Sequence, residues 1–375
     1  MDDQFNDNIM RIMVRPRALM GKSFARWIGL GLVTLLATIG LGVIRVPSAA
    51  LFAGLFVATI AALVNVAPPG VPTRLVTMAQ AVLGVMIGML VKTSTMHALG
   101  AHIMPVLLVT MATLFVSMAA GVLLSLRRDV DPITGALALT TGGASAIVSL
   151  ATQLGGDDRM VAIVQYLRVG IVTASMPLVV ALLFHPHYAA TAHTAVATVN
   201  AAWYVSLGVL LISGVGGITL AWMTRLPAGT LLGPMMIAAA FTLSGIAKNA
   251  IVPAPLVDIA YALIGWQAGV RFTMSRLKQV GHTLPAATLL ILIVNLICAG
   301  LGYLLAYLTG VTDYDGYLAT VPGGIYAALA LAISSRTDVT FVLAVHVLRV
   351  ILMMIAMPIF ARLLHRYVAH RTASP

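Results

Sequence analysis

Long apolar runs recur along most of this chain, and they constrain its fold more than any other feature. Ile103–Leu126 reads IMPVLLVTMATLFVSMAAGVLLSL. As a helix, a run of that length crosses a hydrocarbon core about 30 Å thick. Inside hydrocarbon a helix also satisfies its own backbone groups, which few other structures can do. Composition agrees: 60% of the residues are hydrophobic and 9% charged, against about 25% charged in a soluble domain. The expected fold is all-α, a polytopic membrane protein.

The charge balance fits that environment. There are 22 Lys and Arg against 11 acids, every one of them Asp. In a soluble protein this excess would suggest nucleic acid. In a membrane protein it reflects the gathering of Lys and Arg in cytoplasmic loops, so no nucleic-acid partner is expected. The basic N-terminal stretch RIMVRPRALMGKSFAR resembles the start of a signal peptide. The apolar run after it, Trp27–Ile44, is too long and lacks a convincing cleavage site, so it reads as a retained first helix. The stretch itself reads as a topogenic anchor or a contact for anionic membrane lipid. Cys298 is the single cysteine, which excludes an intrachain disulfide.

Sliding the chain along itself by 181 residues reveals a duplication. Gly142-Gly143 then falls on Gly323-Gly324, Asp157 on Asp338, Arg168 on Arg349, and Met176-Pro177 on Met357-Pro358. Between Gly135 and Pro177, 16 of 43 ungapped positions are identical. Apolar composition alone would match Leu with Leu, but not Asp, Arg, Pro and a glycine pair at one offset. Earlier, QAVLGVMIGM matches YALIGWQAGV at the same offset, and VPSAALFAG resembles LPAGTLLGP at an offset of 180. The expected organisation is a basic segment 1–24, a first membrane repeat 25–184, a linker 185–201, a second repeat 202–364 and a tail 365–375.

Each repeat shows six apolar segments, in the first half Trp27–Ile44, Ala49–Val64, Leu75–Val91, Ile103–Leu126, Ile133–Leu154 and Val161–Phe184. The fifth is interrupted by Gly142-Gly143, and its counterpart more firmly by Pro322-Gly323-Gly324. Proline removes a helix hydrogen bond and glycines favour non-helical backbone. Charge decides whether this segment crosses. If it dips in and returns, leaving five spans per half with the N-terminus inside, sixteen Lys and Arg lie inside and four outside. If all six segments cross, the ratio falls to twelve against eight. The positive-inside rule favours five spans. An odd number inverts the second repeat, which gives about ten spans in two inverted repeats, an architecture recurrent in secondary transporters.

Arg168 and Arg349 are the residues that demand a reason. Each lies eleven residues after its Asp, so a helix starting there carries the Arg about 16 Å inward, near the midplane. A midplane cation costs several kcal/mol unless paired or hydrated. Gln165 and His346 precede the two arginines by three residues and share their helix faces. Every Asp lies in a tail, a loop or at a segment end, and only Asp258 looks able to reach inward. The buried cations must therefore find backbone carbonyls, water or a bound anion. Two readings stay open: the arginines tie the broken segments structurally, or they contact an anionic substrate. The expected binding set is Arg168, Arg349, Gln165, His346, Gly142, Gly143, Pro322, Gly323 and Gly324. The glycine pairs also suit close helix crossing, and His346 suits either proton handling or a local hydrogen bond. Asp157 and Asp338 read as helix caps.

Other chemistry finds little footing. His185, His187 and His193 lie in the linker, but no Cys or Glu joins them. No metal or other cofactor is expected. Walker, nucleophile-elbow, HExxH and dinucleotide patterns are missing from any suitable context, so an enzyme is not expected.

LPAGTLLGPMMIAA, TVPGGIYAALALA and VHVLRV together resemble the bacterial AbrB-type membrane proteins, a duplicated integral-membrane family distinct from the small soluble DNA-binding regulator that shares the name. The resemblance covers residues 25–364. In the first half Thr141 replaces the proline and Gln165 the histidine, so chemistry needing those groups rests on the second half. Members are labelled regulators of gene expression or ammonia monooxygenases, and the resemblance implies those labels. The residues argue against the oxygenase, because a copper or iron centre needs a compact ligand set and the spans offer little beyond His346. They also supply no DNA-reading module. The leading expectation is a secondary transporter of a small, anionic metabolite, in the bacterial inner membrane with both termini cytoplasmic, as a monomer or homo-oligomer. The alternative is a membrane sensor that regulates gene expression indirectly.

Overall fold

The structure is a computed structural model, and it describes residues 17–44, 46–91, 93–127, 130–141, 144–184, 203–224, 228–246, 250–279, 281–335 and 337–373. Gly142, Gly143 and the linker histidines lie outside the described residues. So does most of the N-terminal basic segment.

The described chain is helical, and its helices come in two matching series. The first comprises α1 (Arg17–Val43), α2 (Ala49–Leu63), α3 (Thr73–Met89), α4 (Thr93–Ala101), α5 (Ile103–Leu124), α6 (Pro132–Ala138), α7 (Ala144–Gln153) and α8 (Asp158–Leu183). The second comprises α9 (Trp203–Thr224), α10 (Gly229–Leu243), α11 (Ala254–Gly269), α12 (Met274–Gln279), α13 (Leu284–Thr309), α14 (Asp313–Thr320), α15 (Ile325–Ser334) and α16 (Val339–Ala373). Even the unusual backbone repeats. Ser48 and Ala228, 180 residues apart, start α2 and α10 with φ of 51° and 50°, left-handed values that side chains disfavour. Asn65 and Gly245, again 180 apart, take φ of 60° and 80°. Pro72 and Pro253 precede α3 and α11 with nearly identical angles.

Among the described residues six helices are long and apolar enough to cross a membrane: α1, α5, α8, α9, α13 and the first half of α16. The chain is a multi-pass membrane protein. The four remaining spans expected from sequence correspond to shorter apolar helices, α2, α3, α10 and α11, of 15, 17, 15 and 16 residues. At 1.5 Å per residue these reach only about 22–26 Å, and they pack together as an inner cluster. Two differences from the expected segments stand out. Short helices α4 and α12 occupy what read as loops, and α16 runs on to Ala373 through the expected tail.

Glycines set the direction of the inner helices. A Cβ on Gly84 would strike Leu231, and one on Gly88 would strike Met235 and Ala238, so α3 and α10 run parallel. Likewise Gly265 faces Leu51 and Leu55, and Gly269 faces Leu55 and Ala58, so α2 and α11 run parallel. After α10 the chain turns back at once: Ala250 and Val252 pack near Met89 and Phe241, the far ends of α3 and α10. So α11, and with it α2, runs opposite to α10. Equivalent helices therefore point in opposite directions, which is inverted symmetry. The self-paired contacts α3 with α11 and α5 with α13 lie at its axis.

These crossings depend on backbone approaching backbone. In Gly265→Val the new side chain would displace Leu51 and Leu55 of α2, whose backbone cannot yield as a side-chain tip does. Overpacking of this kind costs about 1–3 kcal/mol or more. The variant is expected to melt several degrees lower in detergent or to aggregate, measured by fluorescence-detected gel filtration after heating.

Candidate functional site

The interrupted fifth segment is a hairpin that returns to its own side. The amide of Asp157, at the start of α8, donates to Thr134 Oγ1 in the first turn of α6 at 2.8 Å. In the second half the amide of Asp338 donates to Asp315 Oδ1 at 2.9 Å. Each segment thus begins and ends at one level, as the charge count favoured. The bases are built from the same two groups in exchanged places. Asp131 caps α6 and accepts from the amides of Ile133 and Thr134, both at 3.0 Å. In the other half Thr312 is the cap, and its hydroxyl donates to Asp315 Oδ2 at 2.6 Å. Asp157 and Asp338 sit where sequence placed caps: Asp157 Oδ1 accepts from the amides of Arg159 and Met160, and Asp338 Oδ1 from that of Phe341.

At the tips the short helices end and leave carbonyls without partners in the helix. Arg168 Nη1 reaches Leu139 O at 3.0 Å and Thr140 O at 2.9 Å. Gln165 Nε2 donates to Leu137 O at 3.0 Å and to Thr140 O at 2.8 Å. In the second half Arg349 Nη1 reaches Val321 O at 3.0 Å, and Thr320 O more distantly at 3.4 Å. A cation at a helix C-terminus also meets the negative end of its dipole. Both arginines therefore hydrogen-bond the carbonyls that end the hairpins' first helices.

That role does not use up their charge. Among the described residues, no carboxylate forms an ion pair with either guanidinium, and the two lie within electrostatic reach of one another. Arg168 is buried, while Arg349 is half-buried. Several polar atoms around them are buried without a partner: Arg168 Nε, Gln165 Oε1, Thr141 Oγ1, Thr173 Oγ1 and His346 Nε2. His346 Nδ1 lies 2.9 Å from Val342 O, which can only accept. A neutral ring bonded this way keeps Nε2 as a bare acceptor.

The second tip brings these features together. Pro322 ends α14 and is buried, whereas Gly323, Gly324 and Tyr326 are half-buried. Gly324 begins α15 without a side-chain cap. The amide of Ala327 turns back to Gly324 O at 3.0 Å, which leaves those of Ile325 and Tyr326 without a carbonyl in their own helix, at the positive end of its dipole. Facing them from α8 is Thr173, whose unpartnered hydroxyl lies 3.6 Å from where a Cβ on Gly324 would stand. Thr173 is only 6% exposed. Open amides, an orphan hydroxyl and two guanidiniums compose a setting for a carboxylate or other oxyanion.

A protein-family model described as "Transition state regulatory protein AbrB" matches residues 50–365. The chain belongs to the AbrB family. It is 32% identical over 353 residues to "Putative regulator AbrB" of Escherichia coli (strain K12), covering 93% of this chain and 99% of the relative. It is 28% identical over 313 residues to "Uncharacterized protein YhjN" of Bacillus subtilis (strain 168), covering 79% and 80%.

In this AbrB-family chain, the structure gathers Arg168, Gln165, Pro322, Gly323, Gly324 and Arg349 about the hairpin tips, with His346 one turn from Arg349. Sequence reasoning missed Thr173 and Asp315, and it noted Thr141 only as the counterpart of Pro322. Sequence points to Asp258 as the carboxylate able to reach inward; among the described residues the deeply buried one is Asp315, at 4% exposure. Its signal was present in the offset, since Asp315 aligns with Thr134 at the same place in the first hairpin. Among the described residues no three His, Cys or Asp side chains cluster as metal ligands do.

Proposed function

We propose that this chain is a secondary transporter of a small anion, with its site at the meeting of the two hairpin tips. It acts in the bacterial cytoplasmic membrane with both termini inside, and it carries out no covalent chemistry. One observation carries the reading: Arg168 and Arg349 have no described counter-ion beside the open N-terminus of α15 and the unpartnered Thr173 hydroxyl. A bound carboxylate, sulfate or phosphate would neutralise charge that is otherwise costly at this depth. Inverted repeats supply the rest, because exchanging the conformations of two such halves opens a fixed site alternately to either side.

The test is a melting-temperature screen of purified protein against small carboxylates, inorganic anions and neutral metabolites. Anions are expected to raise the melting temperature, and neutral compounds to leave it unchanged. A hundredfold excess over Kd contributes about 2.7 kcal/mol. Equal responses to anions and neutral compounds would sink the reading.

The regulator label of the family favours a second reading, in which occupancy of the same site is sensed and gene expression follows indirectly. It predicts anion binding without anion flux in proteoliposomes.

A further inference from the structure

One end of the molecule holds a cavity of about 540 Å³ between α8 and α12, within the size range of ligand-holding pockets. Asp158, Arg159 and Tyr166 line it from α8, and Ser275 and Gln279 from α12. The short helix α12 thus stands off from α8, and it has no close packing partner among the described helices. Its counterpart α4 is docked. It packs on α16, where Thr95 Oγ1 donates to Asp338 Oδ2 at 2.8 Å.

A single aromatic ring stops the inner end of the cavity. Phe272 lies on the turn between α11 and α12, and it belongs to the lining. Next to it Arg271 holds the turn to α8, with its guanidinium 4.1 Å above the Tyr166 ring. One helical turn beyond Tyr166, the Phe272 ring rests on the bare backbone of Gly170. The three atoms nearest a Cβ on Gly170 would all belong to that ring.

Tyr166, Gly170 and Thr173 follow at spacings of four and three, so they share one face of α8. Thr173 stands about 10 Å past Tyr166 along the helix. Its unpartnered hydroxyl faces Gly324 at the tip site, and the residue is buried. Cavity, ring and tip site therefore succeed one another along one helix face. The contact is also built to part. Its ring is half-buried on a turn, and the glycine opposite has no side chain to interlock with it. A change of χ1 would lift the ring without disturbing a helix.

We propose that the cavity is the entry vestibule for the small anion, and that the Phe272 ring seated on Gly170 is the gate between vestibule and tip site. The proposal rests on the transport reading for the identity of the solute, while its test needs no transport.

The experiment reads access to the tip through a single cysteine, Thr173→Cys on a Cys298→Ala background. The probe is sulfonatoethyl methanethiosulfonate, a small anionic thiol reagent, applied to protein in detergent. Access through a gate scales with the fraction of molecules that hold it open, so Phe272→Ala is expected to speed modification by about tenfold or more. Gly170→Ala should do the same with the ring still present, because its Cβ displaces the ring. It also serves if Phe272→Ala does not fold. Combining the two should add little, since both remove one contact. Ser275→Cys, in the vestibule itself, should react quickly whether or not the ring is present, and a slow reaction there would overturn the vestibule. A Thr173→Cys rate that neither substitution alters overturns the gate. So does a rise shared equally by Ser275→Cys, which would mean general loosening. Phe272-dependent access in a protein with neither anion binding nor anion flux would overturn the transport reading and leave the gate standing. Anion flux with Phe272-independent access would do the reverse.

Discussion

Arg349→Gln is expected to remove stabilisation by a bound anion while the protein still inserts and purifies. Arg349 lends one nitrogen to Val321 O and, more weakly, to Thr320 O. A glutamine amide can still donate to a carbonyl at the second tip, as Gln165 does at the first. What the substitution deletes is the charge. A charge-assisted hydrogen bond contributes about 1.5–3 kcal/mol, so anion affinity should fall by about tenfold to a hundredfold in a melting-temperature titration. An unchanged affinity would place the ligand elsewhere and leave Arg349 as a structural tie.

Gly324→Val is expected to abolish the same binding by a different cause, with little loss of stability. Gly324 has φ −74° and ψ 130°, an extended conformation open to any side chain. A Cβ there meets only Thr173 Oγ1 at 3.6 Å and Val169 Cγ1 at 3.8 Å, ordinary van der Waals contacts. The branched side chain fits the backbone but fills the space before the first-turn amides of α15. Gly324→Ala should bind more weakly than wild type and more tightly than Gly324→Val. Isothermal titration with the anion found in the screen gives the order directly. A Gly324→Val protein that binds like wild type would show that those amides do not face the ligand.

The duplication was open to reading because Asp, Arg, Pro and paired glycines at one offset have no compositional explanation. The arginines stood out for a similar reason, since charge in an apolar run is rare enough to need a cause. The returning hairpin was legible only indirectly, through the distribution of basic residues. A Gly-Gly break looks the same in a crossing helix and in a returning one, and the bond from Asp157 to Thr134 distinguishes them. Thr173 gave no warning, and Thr141 stood out only as the counterpart of Pro322. Most hydroxyls in these helices bond a carbonyl of their own helix, as Thr110 does to Val106 O and Thr140 to Ala136 O. The two orphans become visible only against their neighbours. Helices α4 and α12 lay in what sequence read as loops.

The interlocking of the inner helices bears on how the molecule is made. Gly54, Gly84 and Gly88 present faces that fit only against α10 and α11. Those partners leave the ribosome roughly 150 to 210 residues later, at ordinary synthesis rates a delay of about 7–40 s. Through that interval the first repeat sits in the bilayer with its tightest contact surfaces bare. Neither repeat should mature alone: a gene cut in the linker is expected to yield two fragments that membrane proteases clear when made singly and spare when made together.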